Sequence, residues 1–196
     1  MDAFELITTR RSTRRFKKEK PGQKTIHQIV EAGRYAPSGG NNQTTHIFVI
    51  QDETILKQLA EMAAKTFAAM EPEEGMYPSL LSSIMQSKKG NYVFHYNAPV
   101  LIVTANRKDY GNNIADCACV LENMMIMANA LDLGSCWINQ LKWLNEDPCL
   151  LGLFRKLGLT EDERIYGALS LGYAETENGM PERTPLNRKG NPVEWK

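Results

Sequence analysis

Apolar positions in the first third of the chain recur at helical spacing. Ile26, Ile29, Val30 and Gly33 fall at i, i+3, i+4 and i+7, and Thr25-x-x-Gln28 has the form of a capping box, which predicts a helix ending before Pro37. The pattern changes at His46. The run His46 to Gln51 (HIFVIQ) is β-rich and predicts a strand, after which Asp52 suits the N-cap of a helix whose Ile55, Leu59 and Met62 share one face. Residues 71 to 91 scatter Pro72, Gly75, Pro78 and Gly90 among polar side chains, so an excursion with one short helix is expected, and residues 71–96 are the candidate lid.

The stretch Pro99 to Ala105 (PVLIVTA) is continuously apolar and β-branched, as a central strand covered on both faces requires. A long helix should follow from about Asn113, with Leu121, Met124, Met125 and Ala128 on a broad apolar stripe and Gly134 at its left-handed C′ position. Ser135 to Asn139 reads as the next strand, Asp147-Pro148 as the N-cap and first residue of a helix closed by Gly158, and Ile165 to Leu171 as the last strand. Beyond Gly172 the chain is polar and rich in proline and glycine, yet it finishes with Val193 and Trp195. A tail that carries a tryptophan needs something to pack on, and a partner subunit is the natural candidate for residues 174–196.

Strands alternating with helices over 196 residues point to one α/β or α+β domain spanning 1–196, with a sheet covered on both faces and its strand order open. Charge narrows the function. The 23 basic and 23 acidic residues cancel, so no global field draws the chain to nucleic acid or an anionic membrane. The apolar stretch Ile114 to Leu133 is broken by Asp116, Glu122, Asn123 and Asn129, and MDAFELITTRR at the start has no signal-like apolar run, so neither a membrane span nor a secretory segment is expected. Cys117, Cys119, Cys136 and Cys149 lack zinc-knuckle spacing and read as buried thiols in a reducing cytoplasm; no metal site is expected.

Three features could carry chemistry. Arg10-Arg11-Ser12-Thr13-Arg14-Arg15-Phe16 sets several cations and a hydroxyl at the end of a short helical run. Such a turn is usually a solvated surface, but converging guanidinium forks bind phosphate or a polarised carbonyl. Ala36-Pro37-Ser38-Gly39-Gly40-Asn41-Asn42-Gln43 is a loop of small and amide residues in which backbone can approach a ligand closely. Gly134-Ser135-Cys136-Trp137-Ile138-Asn139 is a tight corner followed by a strand, and its plain reading is core.

Taken together and in this order, the three features resemble the FMN-dependent nitroreductase family. That family opens with Arg-Arg-Ser-x-Arg-x-Phe, matched at Arg10 to Phe16, and continues with Ala-Pro-Ser-x-x-Asn-x-Gln, matched at Ala36 to Gln43. The resemblance runs on through the apolar strand, the long helix and Leu169-Ser170-Leu171-Gly172-Tyr173. It implies a three-layer fold with a central mixed, mainly antiparallel sheet flanked by helices, an intertwined homodimer, and tightly but non-covalently bound FMN at the subunit interface. It also implies NADH or NADPH as reductant and a ping-pong transfer of hydride through flavin N5 to a small acceptor.

Residue by residue, the resemblance suggests Arg10 and Arg11 near the phosphate and ribityl chain, Ser12 on that chain, and Arg14 beside the pyrimidine ring. A permanent cation there stabilises the negative charge of reduced flavin near N1 and the C2 carbonyl. Pro37, Ser38, Gly39 and Asn41 would come from the other subunit to the ring edge and ribityl chain. Trp137, Ile138 and Asn139 would line the N5 side, and Arg188 and Lys189 would close over the phosphate. Tyr92, Phe94 and His95 are candidates for the acceptor pocket. Two departures stand out: Thr44 and Thr45 replace a frequent Pro-Trp, and Gly39 and Gly40 occupy positions that are often Ser. No Ser-His-Asp set or paired-carboxylate motif competes with this reading. The remaining alternatives are reductases of nitroaromatics, quinones, enones, free flavin or halogenated aromatics, or a flavin-binding module without turnover.

Overall fold

A computed structural model describes all 196 residues, and its layering follows from the alternation of strand β2 (Val100–Arg107). Every second side chain points to the same face of a strand. Leu101, Val103 and Ala105 therefore enter one hydrophobic cluster, while Val100 and Ile102 enter another on the opposite face of the sheet. The first cluster is closed by α3 (Glu53–Ala69), α4 (Pro78–Lys89), α6 (Gln140–Trp143) and α7 (Pro148–Lys156), which contribute Leu59, Phe67, Ile84, Leu141 and Phe154. The second is closed by α2 (Gln23–Arg34) and α5 (Asn113–Ala130), through Ile26, Ile29, Leu121 and Met124. Each such side chain, once fully buried, contributes about 1.5–3 kcal/mol.

The sheet has the order β1 (His46–Ile50), β2, β4 (Glu163–Gly172), β3 (Gly134–Ile138). All three strand pairs are antiparallel, with Phe48 opposite Val103, Val103 opposite Ala168, and Ala168 opposite Ile138. Parallel pairing is confined to one bridge, between Ser12 and Ser135. No helix is long and apolar enough to cross a membrane.

Several local expectations are corrected. Helix α2 begins at Gln23 with Gly22 as N-cap, so the Thr25–Gln28 pair lies inside the helix and caps nothing. The 71–96 excursion holds the one helix expected of it, α4, which runs twelve residues and is seated on the core through the fully buried Ile84. At the end of α5 the left-handed position is taken by Asp132 (φ 59°), and Gly134 is already the first residue of β3. Gly134 is required for another reason: a Cβ there would lie 2.6 Å from Thr13 Oγ1. By contrast, Asp52 and Asp147 cap α3 and α7 as their sequence positions indicate.

Candidate active site

Helix α1 (Ala3–Thr9), N-capped by Asp2, stops where Arg10 turns extended, and the next residues run as a strap along the sheet. Thr13 N–H donates to the Ser135 carbonyl at 2.9 Å, Lys17 N–H to the Tyr173 carbonyl at 2.9 Å, and Phe16 bridges Ala174. The arginine signature is thereby held against β3, so the first and third sequence features lie together. Their side chains take separate partners. Arg10 Nε lies 4.0 Å from Glu122, Arg11 Nη1 donates to the Thr184 carbonyl at 2.7 Å, and the Arg14 guanidinium carbon sits 5.9 Å from the centre of the Tyr96 ring. Ser12 and Arg14 are exposed. Behind the strap, burial raises the pKa of the Cys136 thiol, and the nearby Arg14 charge opposes that shift only in part.

On β3 the Trp137 indole N–H donates to Asn139 Oδ1 at 2.8 Å, and both residues are half-buried beside the strap. Ile138 is different. Its side chain is buried in the cluster beneath the sheet, so only its backbone can face a ligand.

The Pro37–Asn41 loop is built with equal definition and lies elsewhere. It forms one 3-10 turn, Gly39–Asn41, in which Gly40 (φ 59°) and Asn41 (φ 55°) take left-handed backbone. Ser38 Oγ accepts from Gln43 N–H at 3.0 Å. Gly39 N–H donates to Asp116 Oδ1 at 3.1 Å, and the Tyr110 hydroxyl donates between the Gly39 carbonyl (3.0 Å) and Asp116 Oδ2 (2.9 Å). A Cβ on Gly39 would fall 1.9 Å from Asn112 Nδ2, so Tyr110 and Asn112 occupy the room that a serine would need. The second departure leaves Thr44 Oγ1 buried without a partner, while Thr45 Oγ1 accepts from Asn106 at 3.5 Å. A cavity of about 430 Å³ opens beside this loop, lined by Tyr35, Pro37, Ser38, Asn41 and Val120. Asp116, Tyr110 and Asn112 were not nominated from sequence. The available signal was a carboxylate in the first turn of an otherwise apolar helix.

These two halves occupy opposite ends and faces of α5. The loop is anchored at Asp116, in its first turn; the end of α1, which leads into the strap, is anchored at Asn129, in its last, whose amide donates to the Leu6 carbonyl (3.0 Å) and Thr9 Oγ1 (3.1 Å), and Arg10 of the strap reaches Glu122 between the two. Thirteen residues of helix separate the anchors by about 20 Å along the axis and roughly 220° around it. Within one protomer the structure does not bring them together.

The acceptor-pocket candidates divide. Phe94 is fully buried in the core, edge-on to His95, and offers no exposed surface to a ligand, which corrects that expectation. Tyr92 and His95 line a groove of about 640 Å³ between α3 and residues 91–99. The Tyr92 hydroxyl is already engaged by Ser83 Oγ at 2.8 Å and by the Gln140 amide, which donates to it at 2.9 Å, tying α4 to α6. Arg188 and Lys189 are exposed and form no hydrogen bond or ion pair with the rest of the protomer. The tail is tied down as far as Thr184, through Arg11 and through Arg183, which pairs with Asp132 at 2.7 Å. Trp195 is 92% exposed.

The sequence profile of the Nitroreductase family matches residues 7–173. The crystal structure of a Bacteroides fragilis nitroreductase with bound FMN superposes with a TM-score of 0.87 at 28% identity, over 100% of both chains. An Archaeoglobus fulgidus protein, provisionally named NADH dehydrogenase/NAD(P)H nitroreductase, is 26% identical over 92% of this chain and 90% of its own. The nitrobenzene nitroreductase of Ectopseudomonas oleovorans is 24% identical over 91% of this chain and 88% of its own.

Proposed function

The chain belongs to the nitroreductase family, and on that footing we propose that it is a homodimeric FMN-dependent oxidoreductase that reduces a small acceptor, a nitroaromatic or a quinone, at the expense of NADH or NADPH. The observation that carries this reading is the division of the two signatures across α5. A two-fold axis that sets two copies of α5 antiparallel brings the Pro37–Asn41 loop of one protomer to the Arg10–Arg14 strap of the other, and an isologous dimer makes two such sites. Two features support a dimer of this kind. Helix α1 buries no residue within the protomer and leaves Phe4 76% and Ile7 54% exposed, and Trp195 stands free on the tail.

The residues present fit FMN. Arg10 and Arg11 are half-buried, and their nearest partners, a carboxylate at 4.0 Å and a neutral carbonyl, leave most of their charge available to a phosphate. Arg14 is exposed while in contact with Tyr96 and so is free to meet the pyrimidine edge of a flat ring. Gly40 presents backbone with no side chain in the way, while Gly39, whose N–H and carbonyl are held by Asp116 and Tyr110, fixes the loop behind it. Bound FMN would supply the redox chemistry, coupling oxidation of the nicotinamide to reduction of the acceptor.

The protein's part is placement. The strap would hold the phosphate and pyrimidine ends, the Trp137–Asn139 corner would shape the N5 side, and the partner's loop would close the ring edge. Arg188 and Lys189, free of partners in the protomer, are available to cover the phosphate.

The deciding experiment is an absorbance spectrum of the purified protein followed by anaerobic addition of NADH and then NADPH. Flavin bands that bleach with either nicotinamide support the reading. Bound flavin that neither reduces points to a binding module without turnover, and a colourless protein that takes up no added FMN refutes it.

A further inference from the structure

We infer that Tyr96 is a positioning residue that acts through Arg14 and sets how strongly the protein favours reduced flavin. The inference rests on the reading of Arg14 given above and deepens it. Tyr96 and Asn97 have φ of 57° and 54°, two consecutive non-glycine residues in left-handed backbone. Such a pair costs energy and persists only where its surroundings over-determine it. Here they do. Tyr96 N–H donates to the Val93 carbonyl and Ala98 N–H to the His95 carbonyl, both at 3.1 Å, and the His95 carbonyl also accepts from Ser170 Oγ at 3.0 Å. Phe94, His95 and Ala98 on either side are buried.

What this turn presents is the Tyr96 ring, with the Arg14 guanidinium carbon 5.9 Å from its centre. Arg14 forms no ion pair, although ten salt bridges occur elsewhere in the protomer. An aromatic face, like a neutral carbonyl, holds a guanidinium in place without neutralising it. A carboxylate in its stead would cancel the charge that a reduced, anionic pyrimidine edge needs. The strained turn therefore keeps a full positive charge on a fixed bearing.

The test is the midpoint potential of the FMN-loaded dimer, measured by dye-linked titration, together with the FMN dissociation constant. Tyr96→Gly removes the ring at a position whose backbone glycine adopts freely, and Tyr96→Leu is a second removal that keeps bulk. Both should retain flavin and lower the equilibrium constant for its reduction by about tenfold, roughly 30 mV for a two-electron couple. Tyr96→Phe should restore it. Arg14→Ala combined with Tyr96→Gly should match Arg14→Ala alone, because Tyr96 acts only through Arg14. A lowered potential in Arg14→Ala with wild-type values in both ring-removal variants would overturn the role of Tyr96 and leave the reading of Arg14 standing. No change in Arg14→Ala itself would overturn both.

Discussion

Thr13 packs where Gly134 has no side chain: a Cβ on Gly134 would lie 2.6 Å from Thr13 Oγ1 and 2.8 Å from Thr13 Cβ. The arginine strap thus meets β3 backbone to backbone, and the Thr13 N–H bond to Ser135 depends on that closeness. Gly134→Ala should push the strap outward and cost about 1–3 kcal/mol, as overpacking does. Urea denaturation measures the loss, and FMN affinity should fall with it, since Ser12 and Arg14 ride on the displaced segment. Unchanged stability and affinity would mean that the strap can shift without consequence.

The opposite loop depends on Asp116, which accepts from both Gly39 N–H and the Tyr110 hydroxyl. Asp116→Ala leaves a part-buried amide without its acceptor and should cost about 1–3 kcal/mol, while Tyr110→Phe removes one shared donor and should cost about 0.5–1.5 kcal/mol. Both should weaken FMN binding more than they slow any step with saturating flavin, which a flavin-dependence of turnover would separate. Equal loss at saturating flavin would place Asp116 in the chemistry instead.

Much of this was legible in the chain and some was not, for reasons that particular residues make plain. β2 could be identified because Val100 to Val103 are apolar at both parities and largely β-branched, as a strand buried on both faces requires. Strand order was not legible, because pairing β2 with β4 and β4 with β3 is decided by long-range packing that leaves no local period. The Phe94 side chain and that of Ile138 are both core, although the Ile138 backbone stays available at the corner. Along β3 adjacent side chains point to opposite sides, so Trp137 reaches outward while Ile138 is core; residues 92–94 lie outside any strand, and no such alternation separates Tyr92 from Phe94. The holders of the loop, Tyr110 and Asp116, lie some seventy residues from Gly39, a distance that no short motif spans.

The contribution of Glu163 to stability should depend on pH. Burial opposes ionisation of its carboxyl, but Thr160 N–H at 3.0 Å and the His46 ring at 3.0 Å outweigh burial and hold it below the ordinary carboxylate range. A lowered folded-state pKa means that the contribution is complete above the unfolded value, about 4.3, and is lost as pH falls through the folded one. Thermal denaturation of wild type and Glu163→Gln should therefore show a gap in Tm at pH 6 that closes below about pH 4. A gap independent of pH would assign the effect to packing alone.

The four thiols should differ sharply in reactivity. Cys149 is exposed and Cys119 half-buried, whereas Cys117 and Cys136 are buried. Burial pushes the Cys117 thiol up to about 12, so almost none of it is thiolate at neutral pH. A native-state thiol titration at pH 8 should consume Cys149 first and leave Cys117 and Cys136 unreacted until denaturant is added. Rapid loss of Cys117 in the folded protein would contradict the packing of α5 on the sheet.

The shared site makes a demand that no single-protomer site would. Arg14→Ala spoils the strap, and Gly39→Val spoils the loop by driving a side chain into Asn112, which already lies 1.9 Å from where a Cβ would stand. Each homodimer of one variant carries the same defect at both of its sites. A heterodimer of the two variants carries both defects at one site and none at the other, because each site takes its strap from one chain and its loop from the partner. Random reassortment of equal amounts puts half of the chains in heterodimers, so about a quarter of all sites should regain wild-type flavin binding and potential. Co-refolding the two variants and measuring flavin occupancy and potential tests this directly. If strap and loop of one chain served the same site, the mixture would only average its two defective parents, and no wild-type fraction would appear.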